Sequence, residues 1–67
     1  MNFKKGYREV KYKDVKDVKR KIMKIFGVST PSSWYNHLNG KIEPTIKEYK
    51  AVDELFKGYG ITDIWED

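Results

Sequence analysis

The sequence predicts an all-α fold: a small bundle of three main helices, an extended N-terminal arm, and a C-terminal segment that packs back on the core. Three observations point there. Apolar residues recur at helical spacing, with Val15, Val18, Ile22 and Ile25 falling at i, i+3, i+7 and i+10. Helix-start signals stand at Asp14, at Thr30-Pro31 and at the Thr45-x-x-Glu48 box. Gly27 and Gly40 follow the first two periodic segments, and Gly58 and Gly60 bracket the end of the third, where a helix ends most easily.

Residues 1–12, "MNFKKGYREVKY", show no helical period, and Tyr7, Val10 and Tyr12 hold no clean alternation. They are expected to form a basic arm, extended or partly ordered, with room for a short strand. The first helix is expected over 14–26, with Asp14 as N-cap and Asp17 at the third helical position. Its apolar stripe faces the core, and Lys16, Lys19, Arg20 and Lys24 lie off that stripe. The second helix is expected over 30–39. Thr30 caps it, Pro31 suits its first position, and Pro31, Trp34 and Leu38 share a face that assigns Trp34 to the core. The third, over 45–58, carries Ile46, Tyr49, Val52, Leu55 and Phe56 as its stripe. In "ITDIWED", Ile61, Ile64 and Trp65 are placed to cover the core, as a helical turn or as a short strand against the arm. There is no internal repeat and no linker, so residues 1–67 read as a single domain.

A core of 67 residues is marginal without a staple. With no cysteine there is no disulfide and no thiolate metal site, and one histidine excludes most zinc sites. Two Trp, five Tyr and three Phe are the expected compensation, since each ring buries a large area. The absence of cysteine fits a reducing compartment. No apolar run approaches the roughly 20 residues that span a bilayer, and no apolar segment follows the basic start as in a secretory signal. These features are expected of a soluble, cytoplasmic protein without membrane contact.

Net charge is +4, and the sign is unevenly spread. Residues 1–24 carry ten Lys or Arg against Glu9, Asp14 and Asp17; the remainder carries four lysines against seven acids. This split suggests a basic end facing a polyanion and an acidic tail facing away. The segment "GVSTPSSWYNHLNGK" supplies the matching chemistry. Opposite Trp34, its helix presents Ser32, Ser33, Asn36 and His37, with Lys41 just beyond Gly40. Short donor–acceptor side chains of this kind suit base edges, and Asn pairs well with adenine. The helix start at Thr30 suits a phosphate. Tyr35 stands at the edge of the face, either in the core or with its hydroxyl toward a phosphate. Lys19 and Arg20 on the preceding helix are candidate backbone contacts. Asn39 more naturally supports the helix end. The helix holds no Arg, Lys or Gln, so the sequence supports DNA binding more strongly than specific reading. An enzyme is not expected. No nucleophile–base pair, metal set or Gly-rich phosphate loop is present, and Asp53, Glu54, Asp63, Glu66 and Asp67 are scattered. No cofactor and no small-molecule substrate is implied.

A glycine-centred connection between two helices is helix-turn-helix geometry. Residues 15–61 resemble the Cro/repressor-type helix-turn-helix family, especially a small variant found in Bacteroidetes genomes and mobile elements. The resemblance is carried by "IMKIFGVS", "SSWYNHLNGK" and "EPTIKEYKAVDELFKGYGI". It implies a supporting helix, a recognition helix and a packing helix in that order. It further implies a transcriptional regulator of a mobile element or phage-like operon, with double-stranded DNA as partner and a possible homodimer. The competing expectation is a helical protein–protein adaptor that keeps the fold without binding DNA. On the first reading the basic arm adds DNA affinity and is not needed for folding.

Overall fold

The computed structural model describes residues 1–66; Asp67, counted above in the acidic tail, lies outside them. Four helices follow in order: α1 (Lys4–Arg8), α2 (Val15–Phe26), α3 (Pro31–Leu38) and α4 (Ile46–Lys57), with a 3-10 turn at Tyr12–Asp14 leading into α2. The expected all-α bundle is present. The three main helices fall at the expected places, and the C-terminal segment packs on the core.

In α2, Val18 and Ile22 are fully buried, and Val15 and Ile25 are half-buried beside them. The expected cap at Asp14 is not made: its side chain accepts no hydrogen bond. The preceding 3-10 turn already holds Asp14 in the helical region, at φ −101° and ψ −9°. An N-cap needs extended backbone to aim its oxygen at the helix end. Asp17 is instead bonded to Arg20 at 2.5 Å. At the other end Gly27 takes φ 67°, a left-handed conformation that costs a side-chain residue energy. The Gly27 N–H then reaches the Lys24 carbonyl at 3.2 Å and the Val28 N–H reaches that of Met23 at 3.0 Å, a Schellman ending.

Helix α3 starts on Thr30, whose Oγ1 accepts the Ser33 N–H at 3.2 Å. It closes in the same way as α2, with Gly40 N–H to the His37 carbonyl at 3.2 Å and Lys41 N–H to that of Asn36 at 2.9 Å. Trp34 is 2 % exposed, as its spacing predicts. Helix α4 has both halves of its capping box: Glu48 N–H to Thr45 Oγ1 at 3.1 Å, and Thr45 N–H to Glu48 Oε1 at 2.9 Å. Val52 and Phe56 are buried. Ile46 departs from expectation and is 77 % exposed. At about 100° per residue it lies roughly 100° away from the mean direction of Val52 and Phe56, off the side of the stripe.

The main correction concerns residues 1–12, which are not an extended arm. Phe3 is 1 % exposed, and Val10 is buried too. The Phe3 ring meets Trp34 at 5.7 Å, Phe26 at 5.8 Å, Trp65 at 6.3 Å and Phe56 at 6.4 Å between centroids. Helix α1 follows, with Asn2 Oδ1 accepting the Lys4 N–H at 3.0 Å. Five residues are too few to show a helical period, which is why the sequence hides this helix.

The C-terminal segment settles against α1 by antiparallel pairing rather than as a helical turn. Asn2 N–H reaches the Glu66 carbonyl at 2.8 Å, and Glu66 N–H returns to that of Asn2 at 2.9 Å. Gly6 N–H adds a bond to the Ile64 carbonyl at 3.0 Å. The approach is so close that a Cβ on Gly6 would stand 2.9 Å from Ile64 Cγ2 and 3.0 Å from its Cα. Ile64 is buried, and Trp65 stacks on Tyr49 at 4.6 Å.

Phe3→Ala is expected to cost about 3–5 kcal/mol, the range for emptying a buried aromatic site. That is a large share of what a domain this small holds. Removal of residues 1–6 is accordingly expected to abolish folding, read as loss of the cooperative thermal transition by circular dichroism. A truncated chain that melts like the full chain would remove Phe3 from the core. Gly6→Ala is expected to cost about 1–3 kcal/mol through overpacking against Ile64, and an unchanged Tm would show that the C-terminal segment is not docked there.

Candidate nucleic-acid interface

Stepping at about 100° per residue from Trp34, Ser32, Asn36 and Asn39 come within roughly 40° of the opposite side of α3, whereas His37 is only about 60° from Trp34. The structure follows this arithmetic. Ser32 and Asn39 are exposed, Asn36 is half-exposed, and Tyr35 is 55 % exposed. Tyr35 therefore belongs to the outer edge and not to the core. It lies near Tyr7, whose hydroxyl burial pushes above its ordinary range, with Tyr35 adding to the effect. Tyr7 in turn meets the edge of Trp34 at 5.4 Å, so α1 buttresses α3 from the inside.

Two expected outer-face residues do not serve as expected. His37 is turned inward: its ring stacks on Phe26 at 4.2 Å, and its buried Nδ1 has no hydrogen-bond partner among the described residues. The reason is angular, since its position on the wheel is close to that of Trp34. Ser33 is committed to the helix start, where Thr30 Oγ1 donates to Ser33 Oγ at 2.9 Å. Thr30 is thus spent on the same cap, although its neighbour Ser29 and the first turn remain exposed.

The cations divide into two groups. Lys5 is paired with Asp63 at 2.9 Å and Arg8 with Glu66 at 3.7 Å. The hydrogen bond and charge of Asp63 raise the Lys5 ammonium above its ordinary range. The acidic tail therefore lies on the basic start of the chain rather than facing away, because backbone pairing of Asn2 with Glu66 brings the two together. Lys21 donates to the Tyr59 hydroxyl at 3.0 Å, which raises its pKa. In the other group, Lys4, Lys11, Lys13, Lys16, Lys24, Lys41, Lys47 and Lys50 have no ion-pair partner among the described residues. Lys41 is exposed immediately after the end of α3. Lys19 is held with its ammonium 5.3 Å from the centre of the Trp34 ring, at the junction of α2 and α3. Arg20 keeps its partner Asp17.

Lys16, Lys19, Arg20 and Lys24 line an open groove that ends at Val28 and Ser29, just before α3. Lys16 and Lys24 were legible only as solvent-facing residues; their i, i+8 relation with Arg20 midway was the signal for a cationic stripe. Tyr59 and Trp65 do not form an exposed apolar patch, since Lys21 caps the first and Tyr49 stacks on the second. Among the described residues, no group of three or more His, Asp or Glu side chains could hold a metal ion, and no helix is long and apolar enough to cross a membrane. The chain matches no family model, and comparisons with curated proteins and with solved structures return no match.

The inward placement of His37 has a measurable consequence. Replacing a buried polar atom that lacks a partner by an apolar group of similar size is nearly neutral or stabilising. His37→Leu is expected to keep or raise the Tm, and a loss above about 1 kcal/mol in denaturant unfolding would show that the imidazole stabilises the fold, through Phe26 or through a partner of Nδ1.

Proposed function

We propose that this protein is a DNA-binding regulator that reads double-stranded DNA with α3 and holds its backbone with the lysines around it. The observation that carries the proposal is the juxtaposition of an exposed polar helix edge with cations that the rest of the fold leaves unneutralised. Ser32, Asn36 and Asn39 form the edge, and Lys16, Lys19, Lys24 and Lys41 surround it in sequence and, for the first three, along the groove that meets the start of α3.

The division of labour follows from chemistry. Lysines deliver point charges to phosphates and fix register without reading sequence. Asn36 is the best base contact, because a carboxamide can both donate to and accept from adenine in the major groove. Ser32 takes the second place, and Tyr35 offers a hydroxyl at the edge of the same face. The partial positive charge at the start of α3 favours a phosphate near Ser29 and Thr30. Because one short helix buries little DNA, the working form is a homodimer that places two copies on successive major-groove faces. Control of a mobile-element or phage-like operon, with a cytoplasmic, nucleoid-associated location, accords with the sequence resemblance. The adaptor alternative finds no exposed apolar patch at Tyr59 and Trp65, since Lys21 caps the first and Tyr49 stacks on the second.

Affinity measured against salt concentration tests the reading. Wild type is expected to weaken steeply with salt, and Lys16→Ala or Lys41→Ala to weaken all sequences alike while lowering the slope by about one per lost phosphate contact. Asn36→Ala and Ser32→Ala should instead reduce discrimination between a selected site and random DNA, by about 1–3 kcal/mol for a lost base contact. A flat salt dependence of the wild type would sink the proposal.

A further inference from the structure

The groove on α2 has a floor that DNA binding does not use. Its origin is the way α2 ends. In a Schellman ending the residue after the left-handed glycine returns its N–H to a carbonyl one turn back in the helix, and an apolar pairing of those two residues frequently accompanies it. Here that pair is Val28 and Met23, joined by the 3.0 Å backbone bond, and both side chains line the groove. Lys16, Lys19, Arg20 and Lys24 rim them, and the lining contains no carboxylate. The result is a short apolar strip, open to solvent, rimmed by the unpaired Lys16, Lys19 and Lys24 and by Arg20, which is paired with Asp17.

The two properties together select an occupant. A second copy of the same groove is repelled by its own charge, as is any basic partner. A phosphate backbone matches the rim but offers polar oxygens to Met23 and Val28, and a free small anion leaves them in water. A peptide segment with an apolar side chain between carboxylates satisfies both, placing the apolar group on the strip and the acids on the lysines. We propose that this groove docks an acidic, apolar-anchored segment of a partner protein. The docking itself is independent of the DNA reading. Its consequence rests on that reading: the segment would occupy Lys16, Lys19 and Lys24, so peptide and DNA would exclude one another, and the partner would act as an antagonist of DNA binding.

The test uses the full chain and two synthetic fluorescent peptides, one with a leucine centred between glutamates and a counterpart with serine in its place. Fluorescence anisotropy of each peptide, and of a labelled duplex, is read against protein concentration. The leucine peptide is expected to bind at least about tenfold more tightly than the serine peptide, the scale of one buried aliphatic anchor. Met23→Gln and Val28→Thr keep the rim charges while making the strip polar. Both variants should weaken the leucine peptide by about tenfold and change duplex affinity by less than about twofold, since no charge is lost. Thermal melts accompany both, and Val28→Thr carries the result if Met23→Gln loses its fold. Equal binding of the two peptides, or leucine-peptide binding that ignores both variants, would overturn the proposal by reducing the groove to a charge patch. Duplex binding without peptide binding would overturn it and leave the DNA reading standing. Peptide binding without duplex binding would uphold the groove and refute the DNA reading.

Discussion

The rest of the molecule depends on where the ring of Phe3 sits. It has aromatic neighbours on α2 (Phe26), α3 (Trp34), α4 (Phe56) and the C-terminal segment (Trp65), so one side chain near the chain start joins every other part of the fold. A chain of this length without cysteines has few other ways to close a core. Aromatic rings suit the task because each buries a large area while losing little side-chain freedom, and their edge-to-face contacts add to the area term. The helices are short, and α3 has eight residues, so none would persist alone. Their stability comes from packing on this cluster.

The same closure determines the electrostatics. Pairing of Asn2 with Glu66 sets the acidic tail beside α1, and Lys5 and Arg8 are used there. Such exposed pairs contribute little to stability, but they remove charge from one side of the molecule. Around α2 and α3, Lys11, Lys13, Lys16, Lys19, Lys24 and Lys41 keep no ion-pair partner among the described residues, while Arg20 is held by Asp17 and Lys21 by the Tyr59 hydroxyl. The cationic surface is therefore a product of the fold as much as of composition.

The turn between α2 and α3 serves two purposes through one piece of backbone. The left-handed Gly27 stops α2 and redirects the chain toward Thr30, and the same ending brings Val28 over Met23. Lys19 ties the two helices together from above by resting on Trp34. The orientation of α3 follows: Trp34 inward, His37 against Phe26, and Ser32, Asn36 and Asn39 outward.

Much of this was legible before folding. Helix positions, the Thr30 and Thr45 caps, the stops at Gly27 and Gly40, and the burial of Trp34, Val18 and Ile22 are set by residues within a turn or two of one another, so a linear reading reaches them. Asn36 and Ser32 as the outer edge of α3 were legible for the same reason. His37 looks like an outer-face residue by type, but its angle, about 60° from Trp34, turns it against Phe26. Three things had no local signal. The burial of Phe3 and the helix after it depend on four rings spread from residue 26 to residue 65. The neutralisation of Lys5 and Arg8 depends on acids near the far end of the chain. The apolar floor of the groove depends on a side chain folding back across a turn. Sequence by itself determined where the three longer helices coil and where they stop, because those choices are made by neighbours. Which faces meet, which charges survive and which apolar atoms stay uncovered were decided only when distant segments came together, since those energies exist only between residues that the chain order keeps apart.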